Sequence, residues 1–140
     1  MALNLKYAAA HRQAQAAAQV ADIGASPILR VYDGTQPAGV DTAVTSQTVL
    51  AQGTLPGTPL TSTGGVISKS GTWTLTGQSG AGGGTAGTWF RLFKSNGTTP
   101  VMDGTFGVSS GDYDMEADVN SIADGQTVTI TGFTLTKWGA

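Results

Sequence analysis

Apolar residues recur at two different periods along this chain, and the change of period divides it. From Leu3 to Ile23, the residues Leu3, Tyr7, Ala10, Ala14, Ala17 and Ala21 return at spacings of three and four, which stacks them on one face of a helix. His11, Gln15 and Gln19 line another face, with Lys6, Arg12 and Gln13 nearby. Alanine favours the helix, and Gly24 followed by Pro27 is the expected stop. The stripe is mostly methyl groups, and a helix of this length frays alone in water. It therefore predicts a partner surface, on its own domain or on another chain.

Beyond Pro27 the period falls to two. Pro27–Tyr32 reads as a strand closed by Asp33-Gly34, and Thr35–Thr45 as an irregular connection. Gln47–Ala51 is a short strand, and Gly53–Gly65, with Pro56, Pro59 and a Gly64-Gly65 pair, is expected to be a long loop. Gly65–Ser70 and Thr72–Gly77 are further strands, the second alternating Trp73 and Leu75 with threonines. In Ala86–Gly107, AGTWFRLFKSNGTTPVMDGTFG, large apolar residues meet an Asn96-Gly97 turn, the strongest short-range hairpin signal. A three-residue loop, Asn96–Thr98, would pair Phe93 with Val101, Leu92 with Met102 and Arg91 with Asp103, which joins like with like and opposite charges. Trp89 and Phe93 fall on one face of that strand, Phe90 and Leu92 on the other, so it belongs inside a domain. Tyr113–Val119 alternates again. The closing run TVTITGFTLTKW switches parity at Gly132, which predicts a bulge or sharp bend.

About eight strands after a single helix, with frequent turn signals, predict a mainly β fold: an antiparallel β-sandwich or jelly roll with one N-terminal α-helix. The expected division is a helical arm over residues 1–24 and a β-sandwich over 25–140. At 140 residues the chain can bury a core without a metal or a staple. It has no cysteine, so disulfides and thiolate metal sites are excluded. Charged residues make up 11%, against about 25% in an average globular chain. The net charge of -2, with no basic cluster, gives no electrostatic case for nucleic acid. No segment reads as a signal peptide or a membrane span.

Candidate chemistry is thin. His11 is the single histidine and lies on a helix face expected to be exposed. Gly82–Gly87 contains a nominal GxGxxG, but it opens a strand rather than a helix, and it reads as a flexible loop. Asp112, Asp114, Glu116 and Asp118 form an acidic series whose last three members, spaced by two on a strand, would point the same way about 7 Å apart. It reads as a solvated face, with calcium binding or a glycosidase-type acid pair as the alternatives. Asn96-Gly97-Thr98 matches a glycosylation acceptor, yet the hairpin explains the same residues. Trp73, Trp89 and Trp138 could form a sugar-stacking platform, with Trp138 the one placed near a surface. No catalytic, cofactor-binding or metal-ligating residue is assigned, and no enzyme activity or cofactor is expected.

Taken together, the Ala-rich helix, the strand ILRVYDGTQPA after I-G-A-S, the Gly/Thr-rich middle, Ala86–Gly107 and the closing GQTVTITGFTLT resemble small accessory structural proteins of tailed bacteriophages. The resemblance spans nearly the whole chain and is most specific in Ala86–Gly107 and Gly125–Thr136. It implies a jelly-roll capsid cement or decoration protein. Such a protein binds the outer surface of the phage head, in the virion, after assembly in the bacterial cytoplasm, and bridges neighbouring subunits of the major capsid protein. A homodimer through the helix or an edge strand would suit that role, with neither nucleic acid nor membrane as partner. A tail or fibre component and a carbohydrate-binding module are the alternative readings.

Overall fold

A computed structural model describes residues 4–109 and 112–136. Within them the chain forms a helix, α1 (Ala9–Ile23), followed by β1 (Ile28–Tyr32), β2 (Val49–Thr54), β3 (Leu60–Thr63), β4 (Val66–Lys69) and β5 (Trp73–Gly77). A 3-10 turn at Ser79–Ala81 leads to β6 (Thr85–Ala86), β7 (Trp89–Phe93), β8 (Pro100–Val108), β9 (Met115–Ala117), β10 (Ser121–Ile122) and β11 (Thr127–Thr136). The protein is mainly β with one helix, as expected, but the sandwich is not what forms.

The strands run in the order β11-β5-β2-β1-β7-β8-β9, and β9 pairs back onto β11, so seven strands close into a barrel. The sheet is mixed, because β8 and β9 run parallel while the other pairs are antiparallel. Two features of the chain explain the correction. The bend expected at Gly132 is present, as a register shift between Ile130 and Gly132 opposite β9. It lets β11 pair with β5 through Thr127–Ile130 and with β4 through Thr134–Thr136, while its other edge takes β9. A strand that serves two neighbours on one edge and closes a ring on the other removes the free edges a sandwich would leave. The reading from turn spacing also assumed that successive strands are antiparallel, which the β8–β9 pair violates.

The expected long loop Gly53–Gly65 is in fact partly strand. Gly64 and Gly65 form the two-residue turn of the β3–β4 hairpin, Thr63 pairing with Val66, and both have positive φ, 59° and 83°. That is the geometry primed turns require and glycine supplies at least cost. The hairpin projects from the barrel along β11 and carries α1.

The helix starts later than the sequence suggests and turns a different face inward. Ala16 and Ile23 are buried, Val20 packs against the core, and Ala10, Ala14, Ala17 and Ala21 are exposed. Leu3 lies outside the described residues. The physical reason is area: positions 16, 20 and 23 share a helical spacing too, and Val20 and Ile23 bury more methylene than alanines do. Gln13 fixes the docking. Its amide nitrogen donates to the Ser62 carbonyl (3.2 Å) and hydroxyl (3.0 Å), and its amide oxygen accepts from the Gly65 N–H (3.0 Å). At the C-terminal end, Asp22 pairs with Lys94 of the β7–β8 turn at 2.8 Å.

Inside the barrel, Leu29, Val31, Leu75, Phe90, Leu92 and Phe106 are almost fully buried, and Phe133 packs edge-on to Phe90 at 6.2 Å. All five residues of β7 are buried, as its two bulky faces predict.

Candidate functional site: a polar row across four strands

The β7–β8 hairpin keeps most of its predicted register: Arg91 faces Asp103 and Leu92 faces Met102. Phe93, however, pairs with Pro100 rather than Val101, because the register shifts by one residue there. Proline lacks the N–H a regular ladder uses and is tolerated at bulges and strand starts. The turn itself is held by Asn96, whose Oδ1 accepts from the N–H groups of Thr98 and Thr99, both at 3.0 Å, and whose Nδ2 donates to Thr99 Oγ1 (2.8 Å).

Because β7 pairs with β1 and β1 with β2, the register extends Arg91–Asp103 into a longer row. Arg91 stands opposite Arg30, and Arg30 opposite Gln52, so Gln52, Arg30, Arg91 and Asp103 follow one another across β2, β1, β7 and β8. The row lies on the outer face of the barrel, since Leu29, Val31, Phe90 and Leu92 take the inner positions of the same strands. Aromatic residues flank it. Tyr32 stacks on Trp89 at 4.4 Å and 12°, the Arg91 guanidinium lies 5.5 Å from the Trp89 ring, and that of Arg30 lies 4.5 Å from Phe93.

The connection between β1 and β2, residues 33–48, folds over this face. Its ends are tied where the Asp33 carboxylate accepts from the Thr48 N–H at 2.6 Å and the Thr48 carbonyl from the Asp33 N–H at 3.2 Å. Loops of this kind, with closed ends, are compact rather than trailing. Trp89 Nε1 donates to the Asp33 carbonyl (2.9 Å), and Thr88 Oγ1 to the Gly34 carbonyl (2.6 Å). Arg91 then secures the crown. It meets Asp103 through Nε (2.6 Å) and Nη2 (2.8 Å), while Nη1 donates to the Thr42 carbonyl (2.9 Å) and Nη2 also to that of Gly39 (3.4 Å). The Arg91 and Asp103 side chains are 4% and 5% exposed, so this is a buried ion pair. Its hydrogen bond to Asp103 raises the Arg91 pKa above the ordinary value, against the opposing effect of burial.

Arg30 has a different setting. Its Nε donates to Gln52 Oε1 at 2.6 Å, and it is half-buried. Tyr32 is linked to it; burial raises the phenol above its ordinary pKa, and the Arg30 hydrogen bond and charge partly oppose that. Between the loop and the hairpin tip, an open cleft of about 430 Å³ is lined by Arg30, Tyr32, Arg91, Phe93, Gly97, Thr98, Pro100 and loop residues 40–44. Volumes of this order suit a side chain or small molecule.

The residues singled out from sequence do not form a second site. His11 is exposed and lies beside Tyr7, ring centroids 5.2 Å apart. In the acidic series, Asp114 accepts from the Thr105 N–H (2.9 Å) and hydroxyl (3.0 Å), and Asp118 from the Thr129 N–H (2.9 Å). Among the described residues no three acidic or histidine side chains gather as a metal site would need. Trp73 and Trp89 are each 1% exposed, which removes them as a sugar-stacking platform, and Trp138 lies outside the described residues. In the glycine-rich stretch, the N–H groups of Gly82, Gly84 and Gly87 already donate to the carbonyls of Ser79, Ala81 and Asn120. No helix among the described residues is long and apolar enough to cross a membrane.

The residue the sequence reading passed over is Arg30. A signal was present: in Ile28–Tyr32 the core parity belongs to Leu29 and Val31, so Arg30 shares the other face with Tyr32. Its position beside Arg91 depends on the β1–β7 pairing, which no local pattern reveals. No family model matches the sequence, and neither a curated protein nor a solved structure is significantly similar to it.

Proposed function

We propose that the protein is a non-enzymatic structural component of a tailed-phage virion that binds the outside of the head and stiffens it by bridging neighbouring shell subunits. The resemblance in Ala86–Gly107 and Gly125–Thr136 supports this reading. The structural observation that carries it is the two-faced helix: α1 locks to its own hairpin through Gln13, buries Ala16 and Ile23, and leaves Ala10, Ala14, Ala17 and Ala21 bare. Small side chains let another backbone come close, and a copy that buries surface on two subunits must be detached before they separate.

The test is co-sedimentation of the purified chain with heads that lack it, followed by a heat or osmotic challenge. Saturable binding that raises the rupture threshold is expected. Ala14→Glu and Ala17→Glu, which place charge on the bare face without touching the docked one, should abolish loading while the circular dichroism spectrum stays native. Substitution is cleaner than trimming the helix, because trimming also strips Ala16 from the core and Gln13 from Ser62. Full loading of both variants would remove the alanine face as the connector. Failure of the wild-type chain to bind intact heads would overturn the head reading in favour of a tail component, which labelled electron microscopy would then locate.

A further inference from the structure

The polar row Gln52–Arg30–Arg91–Asp103 holds two cations and one anion. Like charges directly opposite on paired strands repel, and the row resolves only half of that conflict. Arg91 gives Asp103 two hydrogen bonds and the loop two more. Arg30 is held by neutral groups only, the Gln52 amide, the Phe93 ring and the Tyr32 phenol. The ion pairs among the described residues are Arg91–Asp103 and Lys94–Asp22, and neither includes it. One positive charge is therefore oriented in advance, half-buried and without an ion-pair partner where it lines the cleft, and Asp41 is the one acid that shares that lining.

We propose that this cleft receives a carboxylate presented by another polypeptide, an aspartate or glutamate side chain. The partner's identity as a shell subunit rests on the function proposed above; the chemistry does not. With Nε committed to Gln52 and the guanidinium plane set against Phe93, the ordering cost of Arg30 is already met, and the Nη hydrogens that Tyr32 does not engage remain to receive a planar, two-oxygen acceptor. Nη2 lies beside the hairpin tip, where a Cβ built on Gly97 would stand 3.6 Å from it, in ordinary van der Waals contact. A single cation without an ion-pair partner matches a monoanion better than a phosphate dianion, and Phe93, Pro100, Val40 and Val44 give the acid's methylene stem apolar walls. Asp41, the one acid among the lining residues, tunes the site by opposing a second carboxylate.

The test titrates the full chain with the peptide acetyl-Gly-Glu-Gly-amide, its Gln counterpart and inorganic phosphate, followed by nitrogen-15 NMR. The Glu peptide should shift the Arg30 Nε–H and Gly97 N–H saturably, and the Gln peptide should not. Arg30→Gln should weaken binding by about tenfold or more, the scale of one charge-assisted contact. Arg30→Lys should keep part of it, and Asp41→Asn should tighten it. An unmoved Trp89 indole signal in each variant shows that the fold is intact. Equal shifts with both peptides, or a Glu response that survives Arg30→Gln, would overturn the proposal. Phosphate binding more tightly than the Glu peptide would overturn it in favour of a small-anion site. Peptide binding lost in Arg30→Gln while head loading is unchanged upholds the carboxylate site and overturns the shell subunit as its source.

Discussion

Across β1 and β7 two arginines stand opposite each other, yet the halves of the molecule they belong to are built on different terms. On the β7–β8 side, Arg91 and Asp103 are sealed under the 33–48 loop with both carboxylate oxygens bonded and three of the guanidinium nitrogens in use. On the β1–β2 side, Arg30 meets neutral partners and a cleft. The comparison teaches what a cross-strand row can be used for. The same residue type, one strand apart, locks a loop where an anion is supplied from within, and is left able to bind one where it is not.

The largest expected effect comes from breaking the sealed half. Asp103→Ala leaves the Arg91 charge buried and unpaired, and urea unfolding should show a loss of about 3–5 kcal/mol. Replacing both residues with apolar ones, Arg91→Met with Asp103→Leu, should recover most of that loss, because an ion pair taken out of water contributes little net stability while half of one is costly. A double variant as unstable as Asp103→Ala would mean that the loop carbonyls of Gly39 and Thr42, rather than the charge, set the cost.

The open half should respond far less. Arg30→Ala removes its bonds to Gln52 and Tyr32 and one cation–aromatic contact at a half-exposed position, and a loss of about 1 kcal/mol is expected in the same measurement. A loss comparable to that of Asp103→Ala would erase the distinction between the halves and make Arg30 a structural residue.

How much of this was legible in the sequence follows the range of each interaction. The Arg91–Asp103 pair could be read because a local hairpin brings the two together, although the expected three-residue loop Asn96–Thr98 does not form and the register slips by one between Leu92 and Phe93. The bend at Gly132 could be read because a parity switch announces it. Closure of the barrel could not, since it depends on β9 returning to β11 and on β8 and β9 running parallel. Arg30 was hidden for the same reason: the β1–β7 register joins residues about sixty apart in sequence, Arg30 with Arg91. The helix shows a different failure. Counting apolar positions favoured the alanine stripe, whereas burial follows area, and Val20 and Ile23 outweigh a row of methyl groups.

The smallest effect lies at the boundary between the halves and needs pH to expose it. Tyr32 stacks on the sealed Trp89 and bonds the open Arg30, and burial raises its phenol above the ordinary value despite the opposing pull of Arg30. An unfolded tyrosine releases its proton near pH ~10. Between that value and the higher one of the folded chain, the unfolded state holds fewer protons than the native state, so stability falls as pH rises. The contribution is thus fully present below pH ~10 and lost as pH climbs through the folded value. Melting temperatures measured on both sides of that window should fall for the wild type, and Tyr32→Phe should flatten the part of the fall that Tyr32 supplies. Binding of a carboxylate to Arg30 should steepen it, because neutralising the cation removes the charge that eases ionisation of the phenol. An unchanged alkaline slope in Tyr32→Phe would place the Tyr32 hydroxyl in water, and the seal over the row would then end at Trp89.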